Sequence, residues 1–130
     1  MKVSRSVRYA MIAVEHIAKS DEQTVLAAQI SKEYKIPLEY LLKILQQLVR
    51  ANVLRSKRGP KGGFFLSKAA EDISLLEIYE AIEGTIVNDM KMIEQAPREV
   101  FSKKTEEIYG KAIDSIRAIF TDAKVSNLIV

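Results

Sequence analysis

The run Gly59-Pro60-Lys61-Gly62-Gly63 constrains this chain more than any other stretch, because three glycines and a proline within five residues mark a turn. Short runs with strand-like alternation flank it, Val53-Leu54-Arg55-Ser56-Lys57-Arg58 before and Phe64-Phe65-Leu66-Ser67 after. Two such runs around a glycine turn predict a β-hairpin. From Arg50 to Lys68 there are six cations and no carboxylate, so the hairpin has a cationic tip. The glycines form neither a Walker loop, which needs Gly-Lys-Ser/Thr, nor a dinucleotide-binding fingerprint.

What precedes the hairpin has helical periodicity. Residues 5–19 place Val7, Ala10, Met11, Val14, Ile17 and Ala18 on one buried face. Ser20-Asp21-Glu22-Gln23 is a polar connector with Thr24 as the expected N-cap. A short helix over about 25–34 then turns Leu26, Ala27, Ile30 and Tyr34 inward. Lys35-Ile36-Pro37 ends it, since a residue before proline is driven out of helical conformation. Pro37 suits the first position of a new helix, where its missing N–H costs nothing, and Glu39 complements the helix dipole. Leu38, Leu41, Leu42, Leu45, Leu48 and Val49 supply an apolar stripe, leaving Tyr40, Lys43, Gln46, Gln47 and Arg50 on other faces. Two short helices joined by a tight turn predict a helix-turn-helix, and a cationic hairpin straight after it predicts a wing. A wing can lie along a phosphate backbone or place Arg in a minor groove.

After the hairpin, Ser74 and Glu77 have the spacing of a capping box for a helix carrying Leu75 to Ile82, which Gly84 ends. Residues 85–97 have no clear period and close on Pro97. Residues 98–124 read as one long helix whose stripe is Phe101, Ile108, Ala112, Ile113, Ile116, Ile119, Phe120 and Ala123, weakened at Gly110. Such a helix is about 40 Å long, too long to bury its whole apolar face on so small a domain. A second subunit is the expected cover, through Phe101, Ile108, Ala112, Ile116, Ile119, Phe120 and Ala123, with folding back onto its own domain as the alternative. The predicted architecture is mainly α with a small β-hairpin wing. A winged helix-turn-helix spans 1–84, a connecting loop 85–97, and a dimerisation helix and tail 98–130.

Composition narrows the chemistry. With 130 residues, 48% of them hydrophobic, the chain can bury the core of one domain. It has no Cys, which removes disulfides, thiolate metal sites and thiol catalysis, and fits a reducing, cytoplasmic setting. No apolar run approaches the roughly 20 residues of a membrane span, so no membrane partner is expected. The basic N-terminus meets Glu15 and His16 before any long apolar run, unlike a signal peptide. Charge is asymmetric: residues 1–68 hold 13 Lys/Arg against 5 Asp/Glu, and the remaining 62 hold 7 against 12. A basic front suits a polyanion. Catalysis is not expected, because the one histidine, His16, lies on a helix among apolar neighbours and no Ser/His/Asp set can be assembled around it. Glu77, Glu80 and Glu83 share helical spacing and read as a solvated face.

The segments Val3-Ser4-Arg5-Ser6-Val7-Arg8-Tyr9-Ala10, Ile36-Pro37-Leu38-Glu39-Tyr40-Leu41-Leu42-Lys43-Ile44-Leu45, Arg55 to Leu66 and Ala81-Ile82-Glu83-Gly84 resemble the Rrf2 family of bacterial regulators. The Arg-Gly-Pro-x-Gly-Gly wing with Glu-Gly downstream is the specific part of that resemblance, which covers residues 1–84. It implies a homodimer on a palindromic operator, a recognition helix in the major groove and Arg58 in the minor groove. Many members also carry an iron–sulfur cluster on three Cys in the loop after Glu-Gly. Here the loop from about Thr85 to Pro97 offers Met90 and Met92 but no Cys, so the resemblance is to cluster-free members and no cofactor is expected. Leu42 stands where the family often has Glu, which implies a different base preference. Lys35 replaces a common Gly; a left-handed conformation there would cost about 1 kcal/mol.

The expected DNA contacts are Lys2, Ser4, Arg5 and Tyr9, then Leu38, Glu39, Tyr40 and Lys43, then Arg50, Lys57, Arg58 and Lys61. Lys and Arg take guanine edges or phosphates, Glu39 can accept from cytosine N4, and Ser and Tyr hydroxyls suit phosphates. The competing class is a winged-helix module whose main ligand is another protein, although docking alone needs no carboxylate-free cationic strip. Residues 80–100 join the two halves and are the expected place for an effector, a small molecule or a protein.

Overall fold

The computed structural model describes all of residues 1–130. In chain order the elements are α1 (Arg5–Lys19), α2 (Ala27–Tyr34), α3 (Leu38–Arg50), β1 (Leu54–Lys57), β2 (Gly63–Leu66), α4 (Leu75–Glu83), α5 (Met92–Gln95), α6 (Val100–Asp122) and α7 (Val125–Leu128). A single turn of 3-10 helix covers Ala70–Asp72. The class is the expected one, helical with one two-stranded antiparallel sheet.

The core forms where the helix-turn-helix meets the hairpin. Ala10, Val14 and Ile17 of α1, Ile30 of α2 and Leu41, Ile44, Leu45 and Leu48 of α3 join Val53, Leu54 and Phe64 in one apolar cluster. Ser4 caps α1, its hydroxyl accepting from the Val7 N–H at 3.2 Å. Between α2 and α3 the chain reverses through Lys35, which adopts the left-handed conformation at φ 55°. The hydroxyl of Ser31 donates to the Ile36 carbonyl at 2.5 Å, fixing the turn from inside.

Local details depart from expectation at three places. The N-cap of α2 is Leu26, whose N–H donates to the Gln29 side chain at 2.9 Å, rather than Thr24. Leu26 consequently points outward, and Val25 takes its place in the core. Thr24 instead donates to the carbonyls of Lys61 and Gly62 at 3.0 and 3.1 Å, holding the hairpin tip. Pro37 is the N-cap of α3 rather than its first helical residue. Leu38 and Leu42, placed in the apolar stripe by spacing, are exposed, so the buried seam is Leu41, Ile44, Leu45 and Leu48.

In the hairpin Leu54 pairs with Leu66, Arg55 with Phe65, Ser56 with Phe64 and Lys57 with Gly63. Val25 adds an isolated antiparallel bridge to β2: its N–H donates to the Phe64 carbonyl at 2.9 Å, and its carbonyl accepts from the Phe64 N–H at 2.8 Å. This bridge explains Gly63. A Cβ there would lie 2.7 Å from the Val25 carbonyl oxygen, and the residue also sits at φ 142°.

Ser74 and Glu77 form the predicted capping box of α4, and Gly84 ends it at φ 82°. The last segment, read as a tail, returns to the core. Leu75 N–H donates to the Ala123 carbonyl at 2.8 Å, Val125 N–H donates to the Ile73 carbonyl at 2.9 Å, and Val125 is buried. Four residues of α7 are too few to show a period, so spacing gave no sign of it.

Candidate nucleic-acid interface

One surface gathers the exposed side of α3, the start of α1 and the hairpin tip. On α3, burying Leu41, Ile44, Leu45 and Leu48 turns Leu38, Glu39, Tyr40, Leu42, Lys43, Gln46 and Arg50 to solvent. At the hairpin Lys57, Arg58, Gly59, Pro60 and Lys61 are all exposed. No carboxylate lies within 4.0 Å of Lys2, Arg5, Lys43, Arg50, Lys57, Arg58 or Lys61, because the ion pairs of the molecule are elsewhere. These cations keep their full charge for a polyanion. Lys68, at the end of the carboxylate-free strip, is different: it pairs with Glu77 at 2.7 Å and belongs to the scaffold.

The two tyrosines anticipated at the interface are oriented by each other. Tyr9 and Tyr40 stack edge to face, with ring centroids 5.6 Å apart and planes at 86°. The Tyr40 hydroxyl also hydrogen-bonds Ser6 at 2.5 Å, so α3 is fastened to the first turn of α1 beside the exposed face. Ser4 has its hydroxyl engaged, accepting from Val7 and donating to Glu83 at 2.5 Å. What Ser4 leaves for a phosphate is its place at the helix N-terminus rather than a free hydroxyl. Lys2 is exposed, and its carbonyl accepts from the Tyr79 hydroxyl at 3.1 Å, which ties the N-terminal arm to α4. Burial, with the Glu83 carboxylate, pushes the Tyr79 phenol up, so it remains a donor.

Glu77, Glu80 and Glu83, expected as a solvated face, are three fasteners. Partial burial acts to raise the Glu77 carboxyl. Hydrogen bonds from Lys68 and from the Ser74 backbone and hydroxyl, with the Lys68 charge, outweigh it and hold Glu77 below the ordinary carboxylate value. Glu80 accepts from Arg117 at 2.5 Å and from the Ile86 N–H at 2.7 Å, while Arg117 also donates to the Ile86 carbonyl at 3.0 Å. The loop after α4 is therefore clamped between α4 and α6. Spacing alone could not distinguish this ridge from a wet one, since its partners come from distant segments. His16 has a structural place: its ring packs on Tyr34 at 5.6 Å and its Nδ1 lies 3.4 Å from Glu33.

The anticipated dimerisation residues divide between two faces of α6. Ile113 is buried, and Phe120 packs edge to face on Tyr79 at 6.1 Å. Ile116 and Ala123 are half-buried, and the Ala123 carbonyl accepts from Leu75. Phe101, Ile108 and Ile119 are 71%, 67% and 66% exposed, and Ala112 is exposed with them. One face of the helix thus folds back on its own domain, the alternative given for it, and the other is uncovered in the single chain.

Comparison with known proteins identifies the family and the fold. The model of the family described as "Rrf2: Iron-dependent Transcriptional regulator" matches residues 3–129. The transcriptional regulator IscR of Cereibacter sphaeroides is 42% identical over 89 residues, covering 66% of this chain and 57% of that protein. A transcriptional regulator of Aquifex aeolicus is 38% identical over 80 residues, 62% of this chain and 56% of that one. The chain thus spans little more than half the length of these curated relatives. Among solved structures, CymR, the global cysteine regulator of B. subtilis, superposes with a TM-score of 0.77 at 23% identity, covering 99% of this chain and 96% of its own. IscR of T. potens gives 0.75 at 22%, covering 99% and 86%. Both curated relatives are regulators of transcription.

The residues present do not fit the iron in the family's description. Clusters are ordinarily held by thiolates, and the chain has no Cys. In the loop after α4, Met90 and Met92 offer only thioethers, and the Asp89 carboxylate already accepts from Tyr109 at 3.0 Å. Nowhere do three His, Cys, Asp or Glu side chains converge in a way that could hold a metal ion. Family membership rests instead on the shared fold, the wing motif and the match along nearly the whole chain. This chain belongs to the Rrf2 family of transcription regulators, with a DNA-binding winged-helix fold.

Proposed function

We propose that two copies of this chain bind a palindromic operator as a sequence-specific transcription regulator, a repressor in the cytoplasm, without an iron–sulfur cluster. The observation that carries this is the surface on which α3 and the hairpin tip present cations with no carboxylate partner. In this reading α3 enters the major groove, with Glu39, Tyr40 and Lys43 toward base edges and Leu38 toward a thymine methyl. Arg58 enters the minor groove from the wing tip, while Lys57 and Lys61 lie along the phosphates. Arg50 and the α1 start, with Lys2, Ser4, Arg5 and Tyr9, hold the backbone on either side. The unit over 1–84 reads DNA, and α6 pairs the two copies.

An effector, a small molecule or a protein, acts within residues 80–100. A groove of about 220 Å³ lies there, lined by Glu83, Thr85, Asp89 and Tyr109 among others. Its walls include α4, which Ser4 and Tyr79 tie to the start of α1, so filling the groove bears on the spacing of the two recognition helices.

The test is selection from a pool of random duplexes, run at several salt concentrations with Arg58→Ala in parallel. Enrichment of an inverted repeat, a steep loss of affinity with salt and loss of enrichment in the variant are expected. If no sequence is enriched and binding stays weak, the sequence-reading function is wrong, and the fold serves protein docking.

A further inference from the structure

Leu26, Leu38 and Leu42 are all exposed, and all three border one groove of about 400 Å³. Leu26, Ala27 and Ala28 at the start of α2 form its first wall, and Leu38 and Leu42 of α3 its second. The hairpin supplies the third, from Ser56 and Lys57 through its glycines to Phe64. No carboxylate lines the groove. Large apolar side chains left in water gain from being covered, and here the cover must come from outside the chain.

The two flanks of α3 differ in chemistry. At about 100° per residue, Leu38 and Leu42 lie about 40° apart, with Tyr40 on the opposite flank. Tyr40 is held there by Ser6 and Tyr9 of α1. Between the flanks stand Glu39, Lys43, Gln46 and Arg50, all exposed. The helix therefore presents hydroxyls toward α1, a polar and charged centre, and an apolar edge toward the hairpin.

The charges around that edge limit what can cover it. Lys57 lines the groove, Arg58 and Lys61 follow at the hairpin tip, and none has a carboxylate within 4.0 Å. Such a rim fits a polyanion. In the major groove of DNA, the apolar group that a base edge offers is the 5-methyl of thymine.

We propose that the groove bordered by Leu26, Leu38 and Leu42 seats the 5-methyl group of an operator thymine. This rests on the DNA reading above and deepens it: one leucine toward a methyl becomes a seat built from α2, α3 and the hairpin. The methyl itself is then a determinant of specificity on the wing side of each half-site. Glu39, three positions before Leu42 and beside it on the helix, accepts from the amino group of a neighbouring cytosine or adenine. Cytosine methylated at C5 carries the same methyl, so the seat also makes binding respond to methylation at that position.

The test uses the full chain and the duplex enriched in the selection above. Uracil is thymine without the methyl, so each thymine is replaced by uracil in turn and affinity is read by fluorescence titration. At one thymine of each half-site the affinity should fall about three- to fivefold, roughly what one buried methyl contributes. At the same position 5-methylcytosine should bind more tightly than cytosine by a similar factor. Leu38 and Leu42 are exposed, so Leu38→Ala and Leu42→Ala should fold normally and bring the thymine-to-uracil ratio toward one. Lys43→Ala should weaken binding to both duplexes and keep the ratio. An enriched half-site that holds no thymine, or that accepts uracil throughout without loss, overturns the seat and leaves the DNA reading standing. A uracil penalty that persists unchanged in both leucine variants does the same. Failure to enrich any sequence overturns both.

Discussion

Arg58 and Arg117 are the same side chain under opposite rules. Arg58 stands at the tip of the hairpin, exposed, in a stretch from Arg50 to Lys68 that offers no carboxylate. Arg117 stands on α6, half-buried, and spends its guanidinium on Glu80 and the Ile86 carbonyl. The same division runs through the molecule. Cations of α3, the hairpin tip and the start of α1 have no anionic partner, whereas Lys68, Lys111 and Arg117 each have one. On that surface the free charges are open to a ligand, whereas the pairs of Lys68 and Arg117 fasten distant elements together as joints. Net charge alone, +3 for the chain, conceals the difference.

The largest effect should come from breaking the free side. Arg58→Ala is expected to weaken operator binding by about ten- to a hundredfold, corresponding to roughly 1–3 kcal/mol for a specific Arg contact, with the melting temperature unchanged. Electrophoretic or fluorescence titration with parallel thermal melts measures both quantities. A variant that melts earlier while binding normally would place Arg58 among the joints.

The converse variant is Arg117→Ala. It leaves the Glu80 carboxylate and the Ile86 carbonyl without their charged donor, so a stability loss of about 1–2 kcal/mol is expected by chemical denaturation. In the proposed dimer its operator affinity should fall far less than that of Arg58→Ala. Equal losses of affinity would mean that the clamp on the loop controls the recognition helix directly, and the division between surface and joint would fail.

Lys35 gives a smaller effect on the reading side. It carries φ 55° at the turn of the helix-turn-helix, where its Cβ is crowded and a glycine would not be. Lys35→Gly relieves that strain but loosens the unfolded chain, so the expected gain is below about 1 kcal/mol. Urea unfolding should show a higher midpoint with unchanged slope.

What the residues disclosed in advance follows the same division. The helix-turn-helix and the wing rest on local signals: Pro37, the glycines at 59, 62 and 63, the unbroken cationic strip and the short apolar periods. Each is dictated by neighbours within a few positions. Ser74 with Glu77 was legible for that reason too. The joints were not, because their partners are far apart in the chain: Glu83 with Ser4, Glu80 with Arg117, Thr24 with the carbonyls of Lys61 and Gly62. Leu38 and Leu42 show the limit of periodicity. They satisfy the stripe of α3 as well as Leu41 and Leu45 do, and only the position of α1 and the hairpin decides which leucines are covered. The long stripe of α6 contained two faces for the same reason.

Glu77 offers the finest test of a joint, because it can be released without mutation. Its carboxyl is held below the ordinary value by Lys68 and Ser74 despite the opposing effect of burial. A group whose pKa is lower in the folded state binds its proton more readily when unfolded. The stability it contributes is therefore complete above the ordinary Glu pKa and is lost as pH falls through the depressed folded value. At neutral pH no change is expected. In acid the wild-type chain should lose part of its stability over this window, and Glu77→Gln should lose less. Because the Lys68 pair is a third exposed, the difference should be small and should shrink with added salt. Thermal melts of the two proteins across that range, at low and high salt, measure it directly. Parallel curves at every pH would show that Glu77 caps α4 by geometry alone and that its pairing with Lys68 contributes nothing to the fold.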